Sequence, residues 1–388
     1  TVVVLGADGY IGWPLCNYFK GLGARVAAVD NCAKRGWELA AHARPIAKVA
    51  TFERRFASFD KHKIDVCSRE LYRVLDCEQP DAIVHLAEQP SAPLSMVSRH
   101  WAIETQRNNV LGTLNLMYAC AHMATKTGQL PHILKLGSMG EYGTPPVPIE
   151  EGWFEHKGYR YPFPKQPGSI YHLSKVHDSA NLEFACRTWG FKVTDVNQGI
   201  VWGTETWDTP FMSPTLRTAF HVDTVFGTVL NRFVAQAAIG APLSVYGTGT
   251  QTRGFIHLSD TLRCMALAIA KPPADGEFRV INQLTDIFSV NQLAELVQDV
   301  SGVEIDHLEN PRVEAEHHQY AVVCEKMEEL GFDFSLAKPL CAGPVANMIS
   351  QVKSLPGLKR KAHTITELPS IKWRTGGLAP HKDEGEGI

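Results

Sequence analysis

The chain has 388 residues, with 38 Lys plus Arg, 41 Asp plus Glu and a formal net charge of −3, and 44% of its residues are apolar. This is the composition of a globular protein of about two domains, and the near-neutral charge argues against nucleic acid or a membrane surface as its main partner. The nine cysteines show no metal-type spacing. We therefore expect reduced thiols, no metal site and a cytoplasmic location, or the plastid stroma if a transit segment has been removed.

Short apolar runs alternate with helical patterns through the first half of the chain. The predicted strands are residues 2–5, 25–29, 82–86, 132–136 and 192–196. Amphipathic helices such as 105–124 lie between them, which is typical of βαβ units. The pattern predicts an α/β fold built on a doubly wound parallel (Rossmann) sheet.

A glycine-rich turn, GADGYIG, follows the first predicted strand and opens a helix. Glycine lets the backbone approach a pyrophosphate, whose charge is met by the N–H groups at the helix N-terminus. The residues expected to bind the cofactor there are Gly6, Gly9, Tyr10, Ile11 and Gly12. Because Asp30 ends the second strand, where a carboxylate accepts ribose hydroxyls, the spacing predicts an NAD site.

The residues after Asp30 bear on the choice of dinucleotide. A carboxylate at Asp30 repels the 2′-phosphate of NADP and favours NAD, whereas Arg35, with Lys34 beside it, could accommodate that phosphate. We count Asn31 and Arg35 among the cofactor contacts. Asp65 either accepts a hydrogen bond from the adenine amino group or caps the helix that follows.

A Tyr-x-x-x-Lys pair marks the predicted reaction centre. Tyr171 and Lys175 are four residues apart, so they share one face of a helix, where the ammonium is expected to lower the pKa of the phenol. Ser138 follows the strand that ends at Leu136 and can hydrogen-bond the same substrate oxygen. This order of motifs resembles the short-chain dehydrogenase/reductases, in particular the extended members that act on nucleotide sugars.

That resemblance implies further roles. The segment 242–260 resembles the phosphate-binding stretch of the extended enzymes. Asn109 matches the asparagine that braces the active-site region beside the cofactor. The residues implied to bind the substrate are Gln89, Asn197, Asn231, Arg253 and Arg312.

The segment LGSMGEYGTP (136–145) distinguishes among these enzymes. Nucleotide-sugar 4,6-dehydratases usually carry Asp and Glu after the hydroxyl residue, where this chain has Met139 and Gly140, with Glu141 one step later. This segment resembles the UDP-sulfoquinovose synthase family, as do EQPSAPLSM (88–96) and YHLSKVHDSAN (171–181).

The resemblance implies NAD-dependent oxidation of UDP-glucose at C4, loss of water across C5 and C6, addition of sulfite at C6 and reduction at C4. Glu141 and His172 are the implied proton carriers, and Met139 would cover the sugar ring.

Pro90 departs from that family, which has Arg in the same stretch. Proline offers neither a side-chain nor a backbone N–H donor. A sulfite-independent nucleotide-sugar dehydratase or epimerase therefore remains an alternative. A third possibility is a non-catalytic dinucleotide-sensing or RNA-associated relative, but the intact Tyr171 and Lys175 argue against it.

The sequence also suggests a division into lobes. Residues 1–200, with parts of 227–260, are predicted to form the NAD-binding domain, and residues 201–350 an interleaved, smaller C-terminal substrate-binding lobe. Residues 351–388 are expected to be a C-terminal tail. By analogy with extended relatives, we expect a homodimer formed by the helices at 105–124 and 171–189.

Overall fold

The computed structural model describes residues 1–208, 212–311 and 320–373. The strands of these residues are β1 Val2–Leu5, β2 Val26–Val29, β3 Asp60–His62, β4 Ala82–His85, β5 His132–Leu136, β6 Trp153–His156, β7 Tyr159–Pro162, β8 Lys192–Gln198, β9 Ile200–Trp202, β10 Leu243–Tyr246, β11 Thr252–His257, β12 Phe278–Gln283, β13 Asp286–Ser289 and β14 Ile305–Leu308. The α-helices are α1 Gly12–Gly21, α2 Ala33–Ala40, α3 Phe52–Arg55, α4 Glu70–Glu78, α5 Ala92–Ser95, α6 Arg99–Gln106, α7 Gly112–Thr127, α8 Ile170–Trp189, α9 Val229–Ile239, α10 Leu258–Ala270, α11 Val290–Ser301, α12 Glu325–Glu329, α13 Ala342–Lys353 and α14 Ala362–Thr366.

Within the described residues, the main sheet has seven strands in the order β12-β8-β5-β4-β1-β2-β3. Every neighbouring pair in it is parallel. The chain builds outward from β1 to β2 and β3, and then crosses to β4 on the other side. Ligands bind at such a switch point, outside the carboxyl ends of the strands. The predicted doubly wound sheet is confirmed.

Alternate residues of each strand enter different cores, because side chains in a strand point to opposite faces in turn. Val2 and Val4 of β1 pack with α1 and α10 on one face. Val3 and Leu5 pack with α4, α7 and α8 on the other. The result is a three-layer sandwich in which both faces of the sheet are covered by helices.

A second lobe lies over the carboxyl edge of the sheet. It contains the three-stranded sheet β13-β11-β9 and the pair β10-β14. Its core joins α9, α11 and α13 around residues such as Phe233 and Leu293. This is the smaller lobe expected from the sequence.

Residues 227–260, of which parts were expected in the NAD-binding domain, are divided between the two cores: Ile256 and Leu258 belong to the core of the main sheet. Helix α9 and strands β10 and β11 contribute Leu230, Val245 and Phe255 to the core of the second lobe. The later elements that return to the main domain are α10, which packs on the core of the main sheet, and β12, which pairs with β8. Apolar runs alone do not reveal which of two cores they enter.

The segment expected to be a tail from residue 351 is folded as far as the structure describes it. Helix α13 continues to Lys353, and Val352, Leu358 and Ile365 are buried in the core of the second lobe. The indole N–H of Trp373 donates to the carbonyl of Gly168 at 3.1 Å. Three well-spaced apolar residues therefore anchor a segment that is polar on average.

The helix predicted over 105–124 is interrupted. Residues Arg107–Leu111 form a π-helical turn between α6 and α7. The side chain of Asn109 points inward from this turn and donates to the Ser174 hydroxyl at 2.8 Å. An extra residue in one turn is a known way to place a polar side chain against a functional region.

Candidate active site

A cleft of about 1420 Å³ lies between the two lobes, at the carboxyl edge of the main sheet. It is lined by the glycine turn, by the ends of β2, β4 and β5, and by residues of the second lobe. Sites for one small ligand usually measure about 300–1,000 Å³. The cleft has room for a dinucleotide and a second ligand together.

The glycine turn has the backbone geometry that the sequence predicts. Gly6 has φ +82°, and a side chain on it would collide with the carbonyl of Leu86. A side chain on Gly12 would collide with the carbonyl of Gly6. Tyr10 and Ile11 line the cleft beside them. The turn can follow this path only with glycine at both positions.

Asp30 lies at the end of β2 and lines the cleft. Its carboxylate accepts hydrogen bonds from the backbone N–H groups of Asp8 at 2.9 Å and Cys32 at 2.6 Å. Burial raises the pKa of Asp30 to about 6, against the lowering effect of those two donors. Asn31 also lines the cleft, and its side-chain oxygen accepts from the N–H of Ala33. This is the arrangement that receives an adenosine ribose.

Lys34 and Arg35, the basic residues that follow Asp30 in the chain, both lie near carboxylates of the protein. Arg35 donates to the Asp8 carboxylate from Nε at 2.6 Å and from Nη2 at 3.0 Å. The Lys34 ammonium is 3.9 Å from Glu38. Asp65 accepts from the N–H of Cys67 at 2.8 Å. It forms a local turn, while the helix α4 begins only at Glu70.

Ser138 is held at the end of β5 by a capping box. Its backbone N–H donates to Glu141 Oε1 at 3.0 Å, and its hydroxyl accepts from the N–H of Gly140 at 3.1 Å. Both bonds fix a short 3₁₀ turn, Met139–Glu141. Ser138 and Met139 thereby face the cleft.

Glu141 lies behind this turn, and its side chain is fully buried. It bonds to Lys135 Nζ at 3.0 Å and to Lys165 Nζ at 2.6 Å. Burial alone would raise the pKa of Glu141, but the two ammonium groups outweigh it and hold that pKa well below its ordinary value. The structure therefore places the Glu141 carboxylate in the interior between two lysines, and its exchange of protons with a substrate stays a prediction.

Tyr171 and Lys175 lie on one face of α8, with the Lys175 ammonium 5.7 Å from the centre of the phenol ring. Lys175 donates to the Leu136 carbonyl at 2.6 Å and forms an ion pair with Glu88. Burial raises the pKa of Tyr171, and the charge of Glu88 raises it further. The lowering of this pKa expected from Lys175 is outweighed, first by burial and then by the charge of Glu88, with which the ammonium is paired.

His172 lies beside Tyr171, with the two ring centres 4.9 Å apart. Its Nδ1 is 2.9 Å from the hydroxyl of Ser169, the residue that caps α8. The imidazole packs so closely on Gly140 that a side chain at that position would collide with it. His172 lines the cleft and is held in one orientation there.

The residues expected to bind substrate divide into two groups. Arg253 and Asn231 line the cleft from the second lobe. Gln89 and Asn197 are fully buried and face inward. Gln89 donates to Thr105 at 2.8 Å, and Asn197 donates to the Tyr142 hydroxyl at 2.8 Å. The structure therefore places these two residues as internal braces.

Asn109 is likewise an internal brace. Its side-chain oxygen accepts from the N–H of Gln89 at 2.8 Å, which ties the segment after β4 to helix α8. Arg312, the second arginine expected at the diphosphate, lies outside the described residues.

Four charged residues around the site were not singled out from the sequence: Asp8, Glu88, Lys135 and Lys165. Lys135 interrupts the apolar run HILKL of β5. A charge within such a run is a visible signal that a buried counter-charge exists. The sequence offers no comparable signal for the other three.

A dinucleotide-type glycine turn, the Asp30 carboxylate, Ser138 and Tyr171 line one cleft, and Lys175 lies buried beside Tyr171 on the same face of α8. This combination defines a short-chain dehydrogenase/reductase. Residues 2–282 match the NAD dependent epimerase/dehydratase family. The chain belongs to this family and is an NAD-dependent enzyme, so the predictions of family and cofactor are confirmed.

Two curated relatives match nearly the whole chain. It is 41% identical to the chloroplastic UDP-sulfoquinovose synthase of Spinacia oleracea over 397 residues, which cover 98% of this chain and 80% of the relative. It is 38% identical to the UDP-sulfoquinovose synthase of Sulfolobus acidocaldarius, over 96% of this chain and 97% of the relative.

Solved structures share the fold. The UDP-glucose 4-epimerase of Thermotoga maritima, solved with UDP-glucose, has a TM-score of 0.68 at 20% identity and covers 90% of this chain and 97% of its own. The UDP-glucuronic acid 4-epimerase of Bacillus cereus, in complex with UDP-glucuronic acid and NAD, has a TM-score of 0.65 at 19% identity, with coverages of 92% and 99%.

No helix in ranges 1–208, 212–311 and 320–373 is both long and apolar enough to span a membrane. In the same ranges, no three His, Cys, Asp or Glu side chains are grouped so as to hold a metal ion.

Proposed function

We propose that this enzyme catalyses the UDP-sulfoquinovose synthase reaction on UDP-glucose and sulfite. The observation that carries the proposal is the cleft wall on which Ser138, Met139, Tyr171 and His172 lie together. The high identity to two synthases over nearly the whole chain supports it. The net change is replacement of the C6 hydroxyl by a sulfonate, with release of water.

In the proposed mechanism, Tyr171 accepts the proton of the C4 hydroxyl while Ser138 hydrogen-bonds the same oxygen. NAD, when bound, supplies the hydride acceptor and later returns the hydride, so the reaction is redox-neutral. The 4-ketone acidifies the C5 proton, and loss of the C6 hydroxyl gives an alkene that sulfite attacks at C6. Arg253 would hold the diphosphate from the second lobe.

We assign proton transfer at C5 and C6 to His172. It lines the cleft and is oriented by Ser169, whereas Glu141 is bonded to two lysines behind the wall. Histidine is the most common general acid and base in enzymes, because its two ring nitrogens can donate and accept protons. Met139, which also lines the cleft, would cover the apolar face of the sugar ring.

The experiment is mass spectrometry of the products formed from UDP-glucose and NAD, with and without sulfite. We expect a sulfonated sugar nucleotide only when sulfite is present. The Tyr171→Phe variant, which keeps the aromatic ring, should bind NAD and form no product. Loss of water without sulfonation would contradict the synthase assignment.

A second candidate follows from Pro90, which is exposed and lines the cleft. Proline places no hydrogen-bond donor at this position. This favours a sulfite-independent nucleotide-sugar dehydratase or epimerase of the same fold. If that candidate is correct, the wild-type enzyme will form the same product with and without sulfite. The Pro90→Arg variant then tests the position itself: sulfonated product from this variant would show that Pro90 is what excludes sulfite.

We also propose that the enzyme is a homodimer. Leu111, Tyr118, Phe184 and Trp189 of the π-helical turn, α7 and α8 are large apolar residues with exposures of 52%, 54%, 42% and 39%. The Trp189 ring contacts both Tyr118, at 5.6 Å, and Phe184, at 5.3 Å. A clustered apolar surface of this kind is typical of a protein interface. The packing of these helices against a second copy would bury it.

We further propose a reducing compartment, the cytoplasm or the plastid stroma, as the place of action. All nine cysteines are free thiols, including the exposed Cys77 and Cys341. Thiols remain reduced in such compartments and tend to oxidise outside them. Subcellular fractionation of the source cells would test this proposal.

A further inference from the structure

Asp8 lies in the glycine turn, between Gly6 and Gly9, the first two glycines of the predicted motif. Its side chain is 7% exposed and lines the cleft. It is held by two guanidinium groups: Arg35 donates from Nε and Nη2 at 2.6 and 3.0 Å, and Arg55 donates from Nη1 at 2.8 Å. A carboxylate that accepts three such bonds is firmly fixed.

Both arginines are committed elsewhere as well. Arg35 Nη2 also donates to the Ala50 carbonyl at 2.6 Å. The Arg55 side chain has no exposed surface, and Arg55 donates to the carbonyls of Asp8 and Arg217. Of the two, Arg35 lines the cleft, but its charge is neutralised by Asp8, whereas Arg55 lies behind the turn.

Asp8 also lies against the ribose end of the site. Its N–H donates to the carboxylate of Asp30 at 2.9 Å, and Asp30 occupies the position that receives the ribose 2′-hydroxyl. Two carboxylates therefore face the place where NADP would carry a 2′-phosphate, and Arg35, which lines the cleft and could bind such a phosphate, is neutralised by Asp8.

We propose that Asp8 determines the preference of this enzyme for NAD over NADP, by holding Arg35 in an ion pair and by adding a second carboxylate beside Asp30. The inference rests on NAD as the resident cofactor of the proposed function. Neutralising Asp8 releases the positive charge of Arg35 next to the 2′ position, while Arg55 stays buried behind the turn. A 2′-phosphate would then gain charge-assisted hydrogen bonds in place of repulsion.

The test is binding of NAD and NADP to the cofactor-free full chain by calorimetry, without sugar or sulfite. This readout is independent of turnover, so it stands even if the proposed reaction is wrong. Asp8→Asn keeps the size of the side chain and removes its charge. We expect the ratio of the NADP to the NAD dissociation constant to fall at least about tenfold in this variant, the effect of one hydrogen bond to a charged group.

Asp60→Asn provides the matched control, because Asp60 is a carboxylate paired with Arg25 and does not line the cleft. It should leave the ratio unchanged. Adding Arg35→Met to Asp8→Asn should abolish the gain in NADP affinity, because Arg35 is the group that the variant releases. Asp8→Ser removes the same charge and tests the proposal if Asp8→Asn does not fold. An unchanged ratio in a folded Asp8→Asn or Asp8→Ser variant, or a gain that survives Arg35→Met, would overturn the proposal.

Discussion

At the scale of single residues, the site is governed by buried charges that pair with one another. Lys175 bonds to Glu88, and Glu141 bonds to Lys135 and Lys165. In a medium of low polarity such pairs strongly influence the pKa of neighbouring groups. The pKa of Tyr171 therefore depends, besides burial, on charges outside the Tyr–Lys pair, namely those of Glu88, Glu141 and Lys135.

The Glu88→Gln variant tests this influence on Tyr171. Burial is the main cause of the raised pKa of Tyr171, and the charge of Glu88 adds to it. Removing that charge lowers the pKa, so the phenolate forms at lower pH. We expect the alkaline-side rise of kcat to move to lower pH and kcat at neutral pH to increase, by up to about tenfold if the pKa falls by one.

The measurement is the pH profile of kcat for both proteins, with NAD binding as the control for an intact site. A profile identical to that of the wild type would mean that Glu88 only positions Lys175.

Lys135 is predicted to be essential for stability. Its side chain is fully buried and donates to Glu141 and Ser179, and it lies 3.2 Å from Asp195. Lys135→Met leaves two buried carboxylates without this partner, which costs about 3–5 kcal/mol of unfolding free energy. Urea unfolding measures the difference.

Lys126→Met is the matched control for Lys135→Met. Lys126 pairs with Asp76 at 2.5 Å, but its side chain is 53% exposed. Loss of an exposed pair costs at most about 1 kcal/mol. If both variants lost the same unfolding free energy, burial would not explain the importance of Lys135.

At the scale of secondary-structure elements, the ends of β5 and α8 are brought together by contacts that need glycine and a capped turn. The 3₁₀ turn Met139–Glu141 is fixed by the capping box of Ser138, and α8 is capped by Ser169. Gly140 lies where the two elements meet, under the imidazole of His172. The 3₁₀ turn and α8 can therefore approach this closely only because Gly140 has no side chain.

Gly140→Ala is expected to displace His172 and reduce turnover at least about tenfold, since small misplacement of a reacting group has large kinetic effects. NAD binding should remain, because the glycine turn is untouched. Product formation and NAD binding, measured on the same preparation, check both expectations.

Gly36→Ala serves as the control, because Gly36 lies in α2 with open space around it. It should leave turnover unchanged and stabilise the helix by up to about 1 kcal/mol. Normal turnover in Gly140→Ala would show that His172 tolerates a shift or has no role in proton transfer.

At the scale of the whole molecule, the reaction centre is assembled from both lobes. The main domain contributes the glycine turn and the ends of its strands, and the second lobe contributes Asn231 and Arg253. The lobes are joined by the folded C-terminal segment, whose Trp373 reaches Gly168 near the start of α8. Motions of one lobe relative to the other would open and close the cleft.

The proposed dimer is tested by light scattering coupled to gel filtration. Phe184→Lys places a charge within the exposed apolar cluster of α7 and α8, and we expect this variant to elute as a monomer. The control Leu22→Lys changes an equally accessible leucine, 63% exposed, outside that cluster. A wild-type protein that is monomeric at micromolar concentration, or a dimeric Phe184→Lys variant, would contradict this interface.

Local patterns were sufficient for much of this architecture. The strand predicted at 132–136 and that at 2–5 coincide with β5 and β1, because apolar runs bounded by turn residues determine the local backbone. Tyr171 and Lys175 share one face of α8, because helical periodicity brings residues four apart together. The glycine turn follows from the conformational freedom of Gly6 and Gly12 in the same way.

Only the tertiary structure decided which polar residues face the cleft. Gln89, Asn197 and Glu141 face the interior, and Asp8 is held by Arg55, which is 47 residues away along the chain. The direction and charge state of a side chain depend on partners that the fold brings from distant segments, and local sequence does not encode them. The sequence by itself determined the sheet, the NAD turn and the Tyr–Lys pair, whereas packing between distant elements decided the electrostatics of the site.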